Sequence, residues 1–274
     1  MSCGPKYSKK ISPSMEKGEA DLKEWDFKKD EPLELDGSWV LYWKHFIPLK
    51  DVLNKKLPNQ NPLYLKGSSL WDKNLNLPGS SYGTLIMKLK NLKQTGKLRI
   101  YFQYLATSSE IFITDSKKTI QLKTGIIGKN KEESTPQGIR FDRDISLMGR
   151  DLTIVIHLAN FHFRAGGFLG APKIYHEEGY FSLLSQEMAV VFFVMGAFFI
   201  LAVYHLAIFS RRRKDYSSLF LGLFCLVALS RFFSFGHYSF IFSPNPNLFF
   251  FILEKKFEYL SMIYLFPCLF EYLF

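Results

Sequence analysis

Three polar side chains, Asn160, His162 and Arg164, are the grouping in this sequence best suited to binding chemistry. They alternate with phenylalanines in the segment 160–167, which reads NFHFRAGG. Residues two apart in a β-strand share a face, so we expect the polar trio on one side and the phenylalanines in a core. Amide, imidazole and guanidinium groups hydrogen-bond hydroxyls and carboxylates. Two hypotheses stay open: a small-ligand site, or a structural cluster that holds the end of the strand.

Aromatic side chains are the second group of candidates. Trp39, Trp43 and Trp71 have flat faces on which sugar rings stack, although aromatic residues of a β-domain more often pack in its core. The sequence has no clustered Cys and His residues, no Gly-rich phosphate loop and no hydrolase or kinase motif. It therefore predicts no metal, no cofactor and no enzyme site.

Short strands separated by turn residues are predicted to position these side chains. Residues 31–185 show strand patterns and no helical period, which is typical of an antiparallel sandwich or jelly roll. Residues 1–30 are rich in Lys, Ser and Glu and are predicted to form a flexible tether, and residues 50–77 are predicted to be loop. The predicted strands begin at residue 38 and continue at residues 81–89, 97–103, 110–114, 118–124, 139–142 and 152–163.

A long apolar segment follows the predicted sandwich. Residues 189–209 carry no full charge, and about 20 such residues cross a bilayer core as a helix. The basic cluster RRRK at residues 211–214 comes next, and such clusters mark the cytoplasmic end of a span. The sequence therefore predicts that the sandwich lies outside the cytoplasmic membrane. The alternative is a buried core helix, which normally has a polar face.

Two further spans are predicted, at residues 217–242 and 248–274, so that the bundle has three helices and the C-terminus lies in the cytoplasm. Arg231 and Glu258 each lie about ten residues from the outer turn, which is roughly 15 Å below the outer surface. Ionisable residues at that depth are expected to pair, either as a switch or as a permanent structural pair. The chain stops inside apolar sequence, so we expect a fragment of a longer protein.

The first residues suggest a lipid anchor. Cys3, in the sequence MSCG, looks like the modified residue of a bacterial lipoprotein cleavage site. The alternative is an unmodified cysteine, with export driven by the first span. The net charge of +10 is not concentrated on a stripe outside residues 211–214, so no nucleic-acid partner is predicted.

Several segments are similar to a known family. They are DGSW at 36–39 with YW at 42–43, GIIG at 125–128 with KEESTPQ at 131–137, NFHFRAGG at 160–167, YHL at 204–206 and FEYLS at 257–261. Of these, NFHFRAGG is the most specific. Together they resemble the bacterial seven-transmembrane receptors with diverse intracellular signalling modules, and the resemblance covers about residues 31–274.

The resemblance implies an α+β multidomain membrane protein with an outer, galactose-binding-like jelly roll, seven helices and a cytoplasmic output module such as a histidine kinase or a nucleotide cyclase. This sequence has three predicted spans and no such module. We therefore expect a receptor fragment in the bacterial inner membrane, with its sandwich in the periplasm. Its expected partners are a small-molecule or carbohydrate ligand, the lipid bilayer and the output module, and a homodimer is left open. The alternative is a membrane-anchored carbohydrate-binding or adhesion module without signalling.

Overall fold

A computed structural model of the chain describes residues 8, 12–93, 97–102, 105–115, 117–137, 141–146, 148–235 and 256. The chain divides into two compact units, Met1–Ser182 and Leu183–Phe274. In chain order the elements of the first unit are β1 (Met15–Glu16), β2 (Glu19–Asp21), β3 (Leu33–Glu34), β4 (Ser38–Trp43), α1 (Leu49–Leu53), β5 (Leu63–Lys66), α2 (Trp71–Asn74), β6 (Ser81–Lys90), β7 (Leu98–Phe102), β8 (Leu105–Ala106), β9 (Ser108–Thr114), β10 (Thr119–Thr124), β11 (Phe141–Asp144), β12 (Leu152–Asn160), β13 (Gly167–Phe168) and β14 (Lys173–His176).

The larger sheet is built around β6 and β12. These two strands pair antiparallel along their whole length, from Leu152 opposite Leu89 to Asn160 opposite Ser81. On the far side of β12 lie β9 and then β10. The other edge of β6 is shared, because β4 pairs with its residues 83–86 and β2 runs parallel to its residues 88–90. The outer strand β5 pairs with β4.

Both faces of this sheet are covered, which explains why β6 and β12 read as nearly continuous apolar runs. Alternate residues, such as Leu85 and Ile154, belong to the main core. Their neighbours Ile86 and Val155 face the other way, into a second and smaller apolar cluster. Residues 44–57, including α1, supply Ile47 and Val52 to that cluster. The sheet therefore has no bare face at its centre.

A four-stranded sheet in the order β11–β7–β14–β3 makes the second layer, and β13 pairs with β8. Its residues Leu33, Ile100 and Ile174 are buried in the main core with the inner face of the larger sheet. The predicted antiparallel sandwich is thus confirmed, with one parallel pair added by β2. The predicted strands at residues 81–89, 110–114 and 118–124 match β6, β9 and β10 closely. The finer description as a galactose-binding-like jelly roll stays a prediction.

The N-terminal segment departs from the prediction of a flexible tether at residues 1–30. Residues 12–30 are part of the sandwich, because Leu22, Trp25 and Phe27 are buried in the main core. The two-residue turn between β1 and β2 has positive φ at Lys17 and Gly18 (49° and 75°), the geometry of a tight hairpin. Gly18 also packs so closely on Val40 that a Cβ there would overlap its side chain.

The segment predicted as loop, residues 50–77, is also structured. It contains most of α1, all of β5 and all of α2. These elements are only four or five residues long, too short to display a helical or strand period. Val52, Leu65 and Trp71 are buried, so the segment is fixed by separate buried side chains rather than by a repeating pattern.

The second unit is helical in the residues that the structure describes. Helix α3 (Glu177–Arg211) starts in the first unit and continues into the second, and α4 (Tyr216–Phe235) follows. Asp215 caps α4 by accepting hydrogen bonds from the Ser218 hydroxyl (2.7 Å) and amide. Of the helices in the described residues, α3 alone is long and apolar enough to cross a membrane. It contains the predicted first span, residues 189–209.

The remaining spans are described only in part. Helix α4 covers residues 217–235 of the predicted second span, and residues 236–242 of that span are not described. The predicted third span, residues 248–274, lies outside the described residues except for Lys256. The three-helix bundle therefore stays a prediction.

Truncating Phe27 to alanine tests whether the N-terminal segment belongs to the core. Phe27 is 2% exposed, so Phe27→Ala should lower the free energy of unfolding by about 3–5 kcal/mol. The matched control is Phe163→Ala, at a side chain 39% exposed, with an expected loss under about 1 kcal/mol. All four tryptophans of the chain lie in the sandwich, so denaturation followed by tryptophan fluorescence reports on this unit. Equally small losses of unfolding free energy in both variants would support a flexible tether instead.

Candidate functional site

Asn160 is a buried structural residue at the end of β12. Its side chain is fully buried. The amide nitrogen donates to the carbonyl oxygens of Gly79 and Phe163, both at 2.9 Å, and the amide oxygen accepts from the Phe163 backbone N–H at 3.1 Å. These three bonds use its donors and one lone pair on backbone groups. Of the two hypotheses for this residue, the geometry favours the one in which it holds the strand end.

His162 and Arg164 are exposed, but they do not share a strand face with Asn160. The strand ends at Asn160, so the predicted alternation stops there. His162 Nδ1 lies 3.4 Å from the Ser134 hydroxyl. Burial and the nearby Lys131 lower the pKa of His162, while Glu132 opposes the change. The prediction that both phenylalanines enter the core is wrong: Phe163 is exposed, and Phe161 is only half-buried and belongs to neither core cluster.

Two of the three tryptophan candidates are core residues. Trp39 and Trp71 have no exposed surface. Their indole N–H groups donate to the carbonyls of Leu35 (3.0 Å) and Gly79 (3.1 Å). They therefore cannot stack on a sugar, and their prediction as ligand residues is corrected. Trp43 is half-buried and packs edge-on against Trp71, with ring centroids 5.0 Å apart.

The glycine pair after Arg164 has a packing role. A Cβ on Gly166 would collide with the indole ring of Trp71, and the Gly166 carbonyl accepts from the Trp71 backbone N–H at 2.9 Å. The segment 160–167 and the helix α2 are thus locked together around Trp71. This packing explains why a glycine is needed at position 166.

Three predicted residues fall where the structure gives no side-chain information. Arg231 lies in α4, but its side chain is not described. Glu258 and Cys3 lie outside the described residues. The intramembrane pair and the lipid anchor stay predictions. Among the described residues no group of His, Cys, Asp and Glu could hold a metal ion.

A buried polar cluster that the sequence did not reveal lies on the outer face of the larger sheet. His157, in β12, is 7% exposed and packs between the rings of Phe46 and Phe112. Its Nε2 lies 2.8 Å from the Ile47 carbonyl oxygen, and its Nδ1 lies 3.9 Å from the Glu110 carboxylate. Glu110 in turn binds Lys123 at 2.6 Å. Since Nε2 must carry the proton to donate to Ile47, Nδ1 is left facing Glu110.

This cluster fixes the covering segment, residues 44–57, to the sheet. Thr84 adds two bonds, since its hydroxyl donates to the His45 carbonyl (2.7 Å) and accepts from the Ile47 N–H (3.0 Å). Burial lowers the pKa of His157, although the Ile47 carbonyl and Glu110 oppose the change. The neutral imidazole is therefore favoured in the folded state.

The junction between the sandwich and α3 is the second feature that the sequence did not reveal. Strand β14 ends at His176 and α3 begins at Glu177, with no linker residue between them. The Glu177 N–H donates to the Lys97 carbonyl (2.9 Å), and its carboxylate pairs with Lys97 Nζ (3.3 Å) and Arg99 Nε (3.8 Å).

Arg99 is the centre of this junction. Its guanidinium also pairs with Asp142 of β11 and lies over the rings of Tyr180 (5.7 Å) and Phe181 (5.2 Å) in α3. A partly buried arginine held by two carboxylates and two rings joins three elements, β7, β11 and α3. The first turn of α3 is thereby fixed to the smaller sheet.

Comparisons with known proteins give matches among solved structures alone. No family model matches the chain, and no curated protein matches it. Among solved structures, it is similar to the Ruminococcus gnavus β-glucuronidase, at 12% identity and a TM-score of 0.36, covering 53% of this chain and 28% of that one. It is also similar to a putative β-galactosidase from Bacteroides fragilis, at 11% identity and a TM-score of 0.36, covering 53% and 23%. The chain thus spans about a quarter of the length of these carbohydrate-processing proteins. The candidate site is therefore argued from contacts within this chain.

Replacing Asn160 by alanine separates its two hypothetical roles. If Asn160 is structural, Asn160→Ala should cost about 2 kcal/mol or more of unfolding free energy, because it removes three hydrogen bonds between a fully buried side chain and the backbone of Gly79 and Phe163. Arg164→Ala, at an exposed side chain of the same segment, should change stability by no more than about 0.5 kcal/mol. Urea denaturation read by tryptophan fluorescence makes the comparison. Unchanged stability of Asn160→Ala would favour a ligand-binding role instead.

His157 should make the sandwich less stable in acid. Its pKa is lowered in the folded state, whereas an unfolded histidine has a pKa of about 6.5. Below that pH the unfolded chain takes up a proton that the folded chain does not, so stability falls as pH falls, by at most about 1.4 kcal/mol per pH unit. His157→Gln keeps a donor for the Ile47 carbonyl and should flatten this slope between pH 6.5 and 5. Identical slopes in both proteins would show that His157 does not titrate in this way.

Proposed function

We propose that the chain is the sensing part of a bacterial membrane receptor of the family that its sequence resembles. The sandwich lies outside the cytoplasmic membrane and binds a small molecule. The state of the sandwich passes to α3, and the helices that follow carry it inward to an output module. The chain itself supplies no catalytic group to this process.

The observation that supports this proposal is the junction at Glu177. A protein that only anchors a binding module needs a membrane helix and a tether of any flexibility. Here β14 runs into α3 without a linker, and Arg99 and Lys97 hold the first turn of the helix by charge pairs. A change in the smaller sheet would therefore act directly on the start of the helix. This feature favours a sensor over the anchored adhesion module.

The orientation is proposed from charge. The apolar part of α3 ends at the cluster 211–214, and basic residues at the end of a span favour the cytoplasmic side. One acidic residue, Asp215, follows the cluster, so four basic residues and one acidic residue leave residues 211–215 with a net charge of +3. The sandwich on the other end of α3 is then periplasmic.

A carbohydrate is the narrower proposal for the ligand, and its structural support is limited. Two of the three tryptophans expected to stack on sugars are enclosed in the core. His162 and Arg164 remain exposed and could donate hydrogen bonds to hydroxyls or carboxylates. A polar small molecule fits these groups without any aromatic platform.

Cysteine labelling tests the proposed orientation. All three native cysteines are replaced by alanine, and a single cysteine is introduced at exposed Ser68 of the sandwich or at Ser210 before the basic cluster. In intact spheroplasts a membrane-impermeant maleimide should label Ser68→Cys and spare Ser210→Cys. After permeabilisation both should react, which is the control for accessibility. Labelling of Ser210→Cys alone in intact cells would reverse the orientation and remove the receptor proposal.

A further inference from the structure

A hollow of about 140 Å³ lies on the outer face of the larger sheet. It is bounded by the turn between β1 and β2, by β4 and β6, and by residues 52–62. Tyr42, Val52 and Ile86 form its floor and are all buried. At about 30 Å³ per water, this volume holds about five waters or one benzene-sized ring. The hollow is distinct from the segment 160–167.

Three lysines line this hollow and give it a positive rim. Lys17, Lys55 and Lys88 reach it from the β1–β2 turn, the end of α1 and β6. Among the described residues none of the three forms an ion pair, since the acidic residue of the rim, Glu19, binds Lys90 at 2.5 Å. Glu19 is also close enough to Lys88 and Lys55 for their charges to lower its pKa, so three lysines face one shared carboxylate and the rim has a net positive charge above an apolar floor.

The Tyr42 hydroxyl is the polar group at the floor of the hollow. Tyr42 is 4% exposed, yet its hydroxyl makes no hydrogen bond to any residue in the described part of the chain. The hydroxyl oxygen is not among the fully buried, unpartnered side-chain atoms of the described residues, so it is accessible from the hollow. Burial raises the pKa of Tyr42, so the phenol stays protonated and is a donor for an acceptor in the hollow.

We infer that this hollow binds a small organic carboxylate. The anionic group accepts hydrogen bonds from the Tyr42 hydroxyl and the lysine ammonium groups, and charge-assisted bonds of this kind are the strong ones. The apolar body of the ligand packs on Val52 and Ile86. Phosphate alone would leave that apolar floor in contact with water, so the floor favours a carboxylate with a hydrocarbon or ring body.

This inference adds a ligand site to the proposed function. Only the role of the ligand in sensing rests on that proposed function. Binding in the hollow depends on the sandwich alone. The same surface is tied to the sheet centre, because Tyr42 lies opposite Thr84 in the β4–β6 pairing and Thr84 holds residues 45–47. A ligand in the hollow therefore contacts the elements that order the outer face.

The test uses the full chain in lipid nanodiscs. The probe is 4-fluorobenzoate, whose single ring is of the size that the hollow holds. Binding is measured by ¹⁹F NMR line broadening, with empty nanodiscs as the blank. The matched neutral probe is 4-fluorobenzyl alcohol. The carboxylate should bind about tenfold more tightly than the alcohol, because only the carboxylate makes charge-assisted hydrogen bonds.

Two conservative variants locate the site. Tyr42→Phe removes only the hydroxyl, and Lys88→Met removes only the charge from a side chain of similar length. Each should weaken 4-fluorobenzoate binding by about tenfold. Lys28→Met, at an exposed lysine that does not line the hollow, is the matched control and should leave binding unchanged. Tryptophan fluorescence confirms that each variant is folded.

Either of two results would overturn the inference: equal binding of the carboxylate and the alcohol, or binding that both Tyr42→Phe and Lys88→Met leave intact. The proposed function fails separately. If 4-fluorobenzoate binds as expected but Ser210→Cys is labelled from outside intact spheroplasts, the site stands and the receptor orientation falls.

Discussion

The pairing of β6 with β12 is the constraint on which the rest of this structure depends. It fixes which residues face the main core and which face the covering segment. The same register places Asn160 at the last pair, where it closes the strand end, and His157 opposite Thr84, where both hold the cover. A slip of one residue would turn every one of these side chains to the wrong face. The hydrogen-bonded clusters around Asn160 and His157 therefore both follow from the register of this strand pair.

The long strands could be predicted from the sequence and the short ones could not. Strands such as β6, β9 and β10 have six or more residues between turn signals, enough to show apolar runs or alternation. The N-terminal segment has its five core residues scattered among lysines and glutamates, so its composition suggested a tether. Strands of two to four residues, like β3 and β14, have no period to detect. Their positions are set by partners distant in sequence.

The candidate site shows the same limit. The residue types of segment 160–167 made it a candidate site, but the sequence could not show that β12 ends at Asn160, and the expected faces depended on that end. Ile47, the partner of His157, lies 110 residues away, and Gly79, one of the two residues that Asn160 binds, lies 81 residues away. Such contacts follow from topology and leave no local pattern. The unpaired hydroxyl of Tyr42 is equally invisible in a strand that reads only as aromatic and β-branched.

The parallel strand β2 has a practical consequence for anyone who isolates this domain. It occupies the edge of β6 that β4 leaves open at residues 88–90. A fragment trimmed to begin at residue 31 would bare those backbone amides and carbonyls beside a hydrophobic interior. Such an open edge is a template for strand exchange between molecules and for aggregation. Fragments that retain residues 12–30 keep this edge of β6 paired with β2.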